Sequence, residues 1–203
     1  MNNKNLSLIN PFERIAGLKA LIIGLIIYIA TVVLGQINGI AYPGVISIKL
    51  ASLPLLSALG IALSALIIFI LILYIIGRLI SKSRIRPVDV AGTLTLAKVP
   101  LLLVSLVGCI PTFTKSSIEV TNSLLSSITG NASTASGTDY LIMSIFVIII
   151  MVATIWMLIL SYNAFSISCN VKGVKAIAGF IIAAVLTECI CFAILLADFQ
   201  GIL

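Results

Sequence analysis

VAGTLTLAKVPLLLVSLVGCIPTF, residues 90–113, lies between a basic segment and a polar one. Whether it crosses a membrane decides how many times the whole chain does. Its most apolar part, Val99–Phe113, is short and is interrupted by Pro100, Gly108 and Pro111. Starting at Val90 supplies the roughly 20 residues that about 30 Å of hydrocarbon requires. That extension takes in Lys98, whose stem can snorkel to an interface. Four other runs qualify on length: about 18–37, 55–80, 140–162 and 174–199. The 140–162 run has tyrosines at both ends, where interfacial anchors belong.

Charge parity decides the doubtful case. With five spans and the N-terminus inside, the inner segments carry Lys4, Arg14, Lys19, Arg78, Lys82, Arg84, Arg86, Lys98, Lys172 and Lys175. The outer segments carry only Lys49 and Lys115. Cytoplasmic loops are enriched in Lys and Arg, so this arrangement is favoured. Removing 90–113 as a span would move Lys172 and Lys175 outside. The expected architecture is therefore all-α and polytopic. It is a single domain over 1–203, a bundle of five transmembrane helices with the N-terminus cytoplasmic.

Composition agrees. The chain has 203 residues, 61% of them hydrophobic and 9% charged, and its mean hydropathy is +1.30. Soluble domains average about 45–50% apolar and about 25% charged residues. This excludes a soluble globular domain, a disordered chain and a nucleic-acid binder, despite a net charge of +6. There is no histidine, which removes the commonest general base and metal ligand. Cys109, Cys169, Cys189 and Cys191 form no C-x-x-C pair, so they read as small buried hydrophobes. No nucleophile motif, zinc motif or phosphate loop is present, and the reading is a non-enzyme without metal or cofactor.

The first apolar core is too long for a cleavable signal peptide, and no small-residue cleavage site follows it. Asn10-Pro11-Phe12-Glu13 reads as a helix start. Gly39–Pro54 reads as a short outer connection turning at Pro43-Gly44. Thr114–Asp139 is polar, and Val120, Leu124 and Ile128 recur every four residues, as on one short amphipathic helix. Asn131-Ala132-Ser133 matches a glycosylation sequon. Small residues at packing spacing are Gly35/Gly39, Ala58/Ala62, Gly60/Ser64 and Gly179/Ala183. Trp156 lies mid-span, too deep for an interfacial belt, and reads as a packing residue with its N–H bonded to a neighbour.

Two groups of residues are functional candidates. Glu188 falls mid-span, where a lone carboxylate costs roughly 2.5 kcal/mol or more, so it must face protein or water or be protonated. It is either a proton or cation site or a hydrogen-bonding anchor between helices. The second group is the basic loop RLISKSRIRPVD, with Arg78, Lys82, Arg84 and Arg86. Each basic residue beside an anionic surface is worth about 1 kcal/mol. It either binds anionic lipid or a partner, or only fixes topology. Asp89 can cap the helix beginning at Val90, and Gly92 admits a close neighbour. Pro100 kinks the helix after Lys98. Arg84, Arg86, Asp89 and Lys98 together form the best candidate for a recognition surface.

In order along the chain, these pieces resemble the Yip-domain membrane proteins, relatives of the Ypt/Rab-interacting proteins, in their short bacterial form. The pieces are Asn10-Pro11-Phe12, the basic loop into Asp89-Val90-Ala91-Gly92-Thr93, Ala97-Lys98-Val99-Pro100, Trp156, and Lys172-Gly173-Val174-Lys175-Ala176. The resemblance implies five spans and a cytosolic N-terminus. It implies a scaffold like the eukaryotic members, which bind prenylated Rab-type GTPases and shape membranes through a long N-terminal arm. Only about seventeen residues precede the first span here. The family's Asp-Leu-Tyr-Gly step has Ala91 in place of Tyr.

The resulting expectation is a membrane scaffold or partner- and lipid-binding protein of the bacterial cytoplasmic membrane. Its partners are membrane lipids, another membrane protein or a second copy of itself. The alternative is a small transporter or lipid-handling protein using Glu188.

Overall fold

The computed structural model describes residues 17–81, 83–128 and 135–200. The helix start at Asn10, the sequon at Asn131 and the Lys82 side of the basic loop lie outside them. Along the chain come α1 (Gly17–Ile37), β1 (Ile40–Ala41), β2 (Lys49–Leu50), α2 (Leu55–Ile80) and α3 (Pro87–Leu96). They are followed by α4 (Pro100–Gly108), α5 (Pro111–Ile128), α6 (Gly137–Ser168) and α7 (Val174–Gln200). Helices α1, α2, the joined pair α3–α4, α6 and α7 are long and apolar enough to cross a membrane. The chain is an integral membrane protein of the all-α class.

The third span runs Pro87–Gly108 rather than 90–113. Prolines set both ends, because proline fits the first helical turn, where no backbone donor is needed. Pro87 opens α3 and Pro111 opens a new helix, α5. Asp89 is therefore a first-turn residue and not the cap, a position held by Arg86. Inside the span, Pro100 cannot donate to Leu96, and the ladder tightens. Lys98, Val99, Leu101 and Leu102 donate to carbonyls three residues back at 3.0–3.2 Å.

Helices α1 and α3–α4 run side by side in the same direction. A Cβ on Gly24 would lie 2.6 Å from the Leu96 nitrogen, and one on Gly92 would collide with the Gly17 carbonyl. Farther along, Ser105 Oγ donates to the Thr31 carbonyl at 2.8 Å. The sequence identifies this contact only in part. Gly92, read as admitting a close neighbour, does so; neither it nor Gly24 is in a small-xxx-small pair named above. Gly39 and Gly60 would meet nothing within 4 Å.

At the other side of the bundle, Phe69 of α2, Tyr162 and Phe165 of α6 and Phe180 of α7 cluster with centroids 5.8–6.5 Å apart. Trp156 is partly buried against this core. Of the cysteines, Cys169 and Cys191 are buried, whereas Cys109 and Cys189 are exposed. Burial pushes the Cys169 thiol up to about 11. It should therefore resist alkylation at pH 7.4 in intact protein and react on unfolding, which a timed iodoacetamide assay would read.

Candidate functional site

The connection between α1 and α2 does not stay at the surface. Ile40, Ala41, Tyr42 and Val45 are all buried, so the segment dips back among the helices. Irregular backbone at membrane depth must be enclosed by protein, and its polar groups must find partners there. The antiparallel pairing of Ile40 with Leu50 and Ala41 with Lys49 closes the neck of the segment. Gly35 makes room for it, as a Cβ there would lie 2.7 Å from the Tyr42 ring. Ser105 has spent its hydrogen on Thr31, so the 2.6 Å contact between Tyr42 and Ser105 is donated by the tyrosine.

Two ionisable side chains from distant parts of the sequence hold the tip. Lys98 is 1% exposed. It reaches inward from the α3–α4 break, and its Nζ donates to the Val45 carbonyl at 3.1 Å. The ammonium also lies 3.6 Å from Met157 Sδ and 5.4 Å from the Phe69 ring centroid. An aromatic face and a soft sulfur are favourable neighbours for a desolvated cation. Glu188, from α7, takes the next two residues. Its carboxylate accepts from Ile46 N, from Ser47 N at 3.3 Å and from Ser47 Oγ at 2.6 Å. Gly44 packs directly on that carboxylate, leaving no room for a Cβ. The arrangement is a clamp: a cation holds the carbonyl at the tip and a carboxylate holds the adjoining amides.

This corrects two site expectations. Lys98 does not snorkel and is not on a recognition surface with Arg84, Arg86 and Asp89. The proline break turns it into the bundle, where a backbone carbonyl and an aromatic face wait for it. Gly92 is buried under α1 and cannot touch a partner. Asp89 is half-buried, with its carboxylate against Gly17. Of the alternatives for Glu188, the hydrogen-bonding anchor matches the geometry, though it grips a re-entrant segment rather than a neighbouring helix. A cleft of about 140 Å³ beside it is lined by Pro43, Ser47, Lys49 and Phe192.

The basic cluster is where the sequence puts it. Lys19, Arg78, Arg84, Arg86, Lys172 and Lys175 are all exposed at one end of the bundle. Arg78 is steadied by Tyr74, whose hydroxyl accepts from it at 3.1 Å. Among the described side chains, Asp89 is the one acid at that end. Lys49 and Lys115 lie at the other.

The sequence signals the two clamp residues only by their cost, as isolated charges in apolar runs. It carries no mark that they meet at three consecutive residues, Val45–Ser47. Comparison with protein-family models, with curated proteins and with solved structures finds no match to this chain.

Proposed function

We propose that this protein is a non-enzymatic membrane scaffold whose basic end lies in the cytoplasm and binds anionic lipid headgroups. The observation that carries this reading is the concentration of exposed lysine and arginine at one end, with Asp89 as their single acidic neighbour among described residues. Such a surface attracts anionic lipid at about 1 kcal/mol per basic residue. Resemblance to the Yip-domain proteins supports a scaffold in the same orientation, in a bacterial cytoplasmic membrane. Arg84 and Arg86 are free of the packing that engages Gly92 and Lys98, and so are the residues on which recognition would rest.

The competing reading, a small transporter working through Glu188, has less support. The carboxylate is occupied by three donors of the chain itself. A transport site would need it available to a substrate.

The test uses full-length protein in discs containing phosphatidylglycerol and phosphatidylcholine. Native mass spectrometry of retained lipid should show preferential phosphatidylglycerol. Reversing both charges, Arg84→Glu with Arg86→Glu, removes two favourable contacts and should cut that preference by about thirtyfold. Unchanged retention in a variant of unchanged topology would overturn the lipid reading. A pH-dependent flux in proteoliposomes abolished by Glu188→Gln would replace it with transport.

A further inference from the structure

At the end opposite the basic cluster, α5 packs against α6 with an unusual distribution of residues. Its protein-facing side is polar: Ser116, Ser117 and Ser123 are buried beside Val120. Ser116 donates to Asp139 at 2.8 Å, tying α5 to the start of α6. Ile118, Leu125 and Ile128 point outward instead and are 51–82% exposed. The expected apolar stripe Val120-Leu124-Ile128 is thus divided, with Val120 inward and the other two exposed. Exposed apolar residues continue down α6 through Leu141, Ile145 and Ile148. An apolar outer flank continuous with a spanning helix belongs against lipid.

Between α5 and the neck of the re-entrant segment are two depressions that meet at Leu50. The first, about 210 Å³, is lined by Asn38, Thr114, Thr121 and Asn122, with Leu50 and Ile118 beside them. None of its lining side chains carries a charge. Three of its polar side chains have already spent their hydrogens, while Asn122 and Ser52 carry donors as well as acceptors. Thr114 donates to the Gly108 carbonyl and Thr121 to that of Ser117, each at 2.7 Å. The Asn38 amide donates to the Leu34 carbonyl at 2.7 Å and to Cys109 Sγ at 3.1 Å. A hydroxyl has one hydrogen and an amide two. What Thr114, Thr121 and Asn38 have left is acceptor oxygens. The second depression, about 50 Å³, is apolar and runs along Met143, Phe146, Val147 and Ile150 of α6, with Lys49 at its edge. Those four positions share one face of a helix.

An uncharged cleft with acceptor oxygens on Thr114, Thr121 and Asn38, a lysine next in sequence to the shared Leu50 and an apolar trough along α6 match the parts of one lipid. We propose that this furrow is a binding site for a single phosphatidylethanolamine molecule. Its ammonium donates three hydrogens to the acceptors, its phosphate meets Lys49, and one acyl chain lies along α6. The ethanolamine head fits better than a choline head, which has no hydrogen to donate. The site lies at the other end of the molecule from the anionic-lipid surface and does not rest on it.

The experiment uses full-length protein in phosphatidylcholine discs and a phosphatidylethanolamine probe carrying a diazirine in its acyl chain. Cross-links mapped by mass spectrometry should concentrate on 143–150. Unlabelled phosphatidylethanolamine should compete at about tenfold lower concentration than phosphatidylcholine or phosphatidylglycerol, the difference of a charge-assisted hydrogen bond. Leu50→Trp, at a position 43% exposed and outside the core, should fill the junction and cut labelling at least about fivefold. Labelling spread evenly over the exposed faces of the spans would overturn the proposal. So would equal competition by phosphatidylcholine, or preference for phosphatidylglycerol. Both readouts use the unmutated chain, so they decide the matter even if Leu50→Trp fails to fold.

Discussion

Gly24→Leu is expected to abolish the folded bundle, whereas Gly60→Leu leaves it intact. Both glycines sit in apolar spanning helices and look alike in sequence. A Cβ at Gly24 would lie 2.6 Å from the Leu96 nitrogen and 2.9 Å from the Thr95 carbonyl carbon, both backbone atoms that cannot turn aside. A Cβ at Gly60 would meet nothing within 4 Å. Overpacking by a methylene or two costs about 1–3 kcal/mol where side chains can adjust, and more where they cannot. A leucine at Gly24 must push α1 off α3, and with it the Thr31–Ser105–Tyr42 chain of hydrogen bonds. We expect a loss of at least about 4 kcal/mol. In SDS titrations followed by circular dichroism, Gly24→Leu should unfold at the lowest detergent fraction or fail to give a monodisperse species. Gly60→Leu should fall within about 0.5 kcal/mol of the parent. Equal behaviour of the two would mean that α1 and α3 do not pack as described.

That pair also shows how far sequence reasoning reaches. Apolar run length and the lysine and arginine distribution are properties of whole segments, and they determine five spans without knowledge of any contact. The limits of the third span are less legible because the three prolines in and after it have different effects. Pro87 and Pro111 begin helices at the two limits, while Pro100 begins α4 inside the span, after a break in the ladder. Which glycine meets a neighbour depends on the rotation of each helix about its axis. Spacing alone does not specify that rotation, so Gly24 passes unnoticed while Gly39 and Gly60 attract attention. The re-entrant segment is harder still. Ile40–Val45 is too short to register as a buried element. The side chains that hold its tip at Val45–Ser47, Lys98 and Glu188, are more than fifty residues away in sequence. Only the expense of leaving each charge in hydrocarbon hints that something must receive it.

The clamp itself gives the second large effect. Lys98→Ala should cost about 3–5 kcal/mol, from a cavity in place of three methylenes and the ammonium and a Val45 carbonyl left buried without its donor. Lys98→Met retains most of the volume and removes the cost of burying an ammonium, so it should recover half or more of that loss. Glu188→Leu loses acceptance from Ile46 and Ser47, bonds to a charged group that are individually worth about 1.5–3 kcal/mol. Lys98 and Glu188 act on consecutive residues of one segment, so their losses should not add. Once either is gone the tip is loosened, and the other has less left to hold. A double-mutant cycle of Lys98→Met and Glu188→Gln, read by SDS unfolding, should give a coupling of about 0.5–3 kcal/mol. A cysteine at Val45 would report the same event directly. It should be protected from a membrane-impermeant maleimide in the parent and labelled in either variant. Additive losses with Val45→Cys still protected would mean that each charge serves its own helix and that the segment is held by Tyr42 and Ser105 instead.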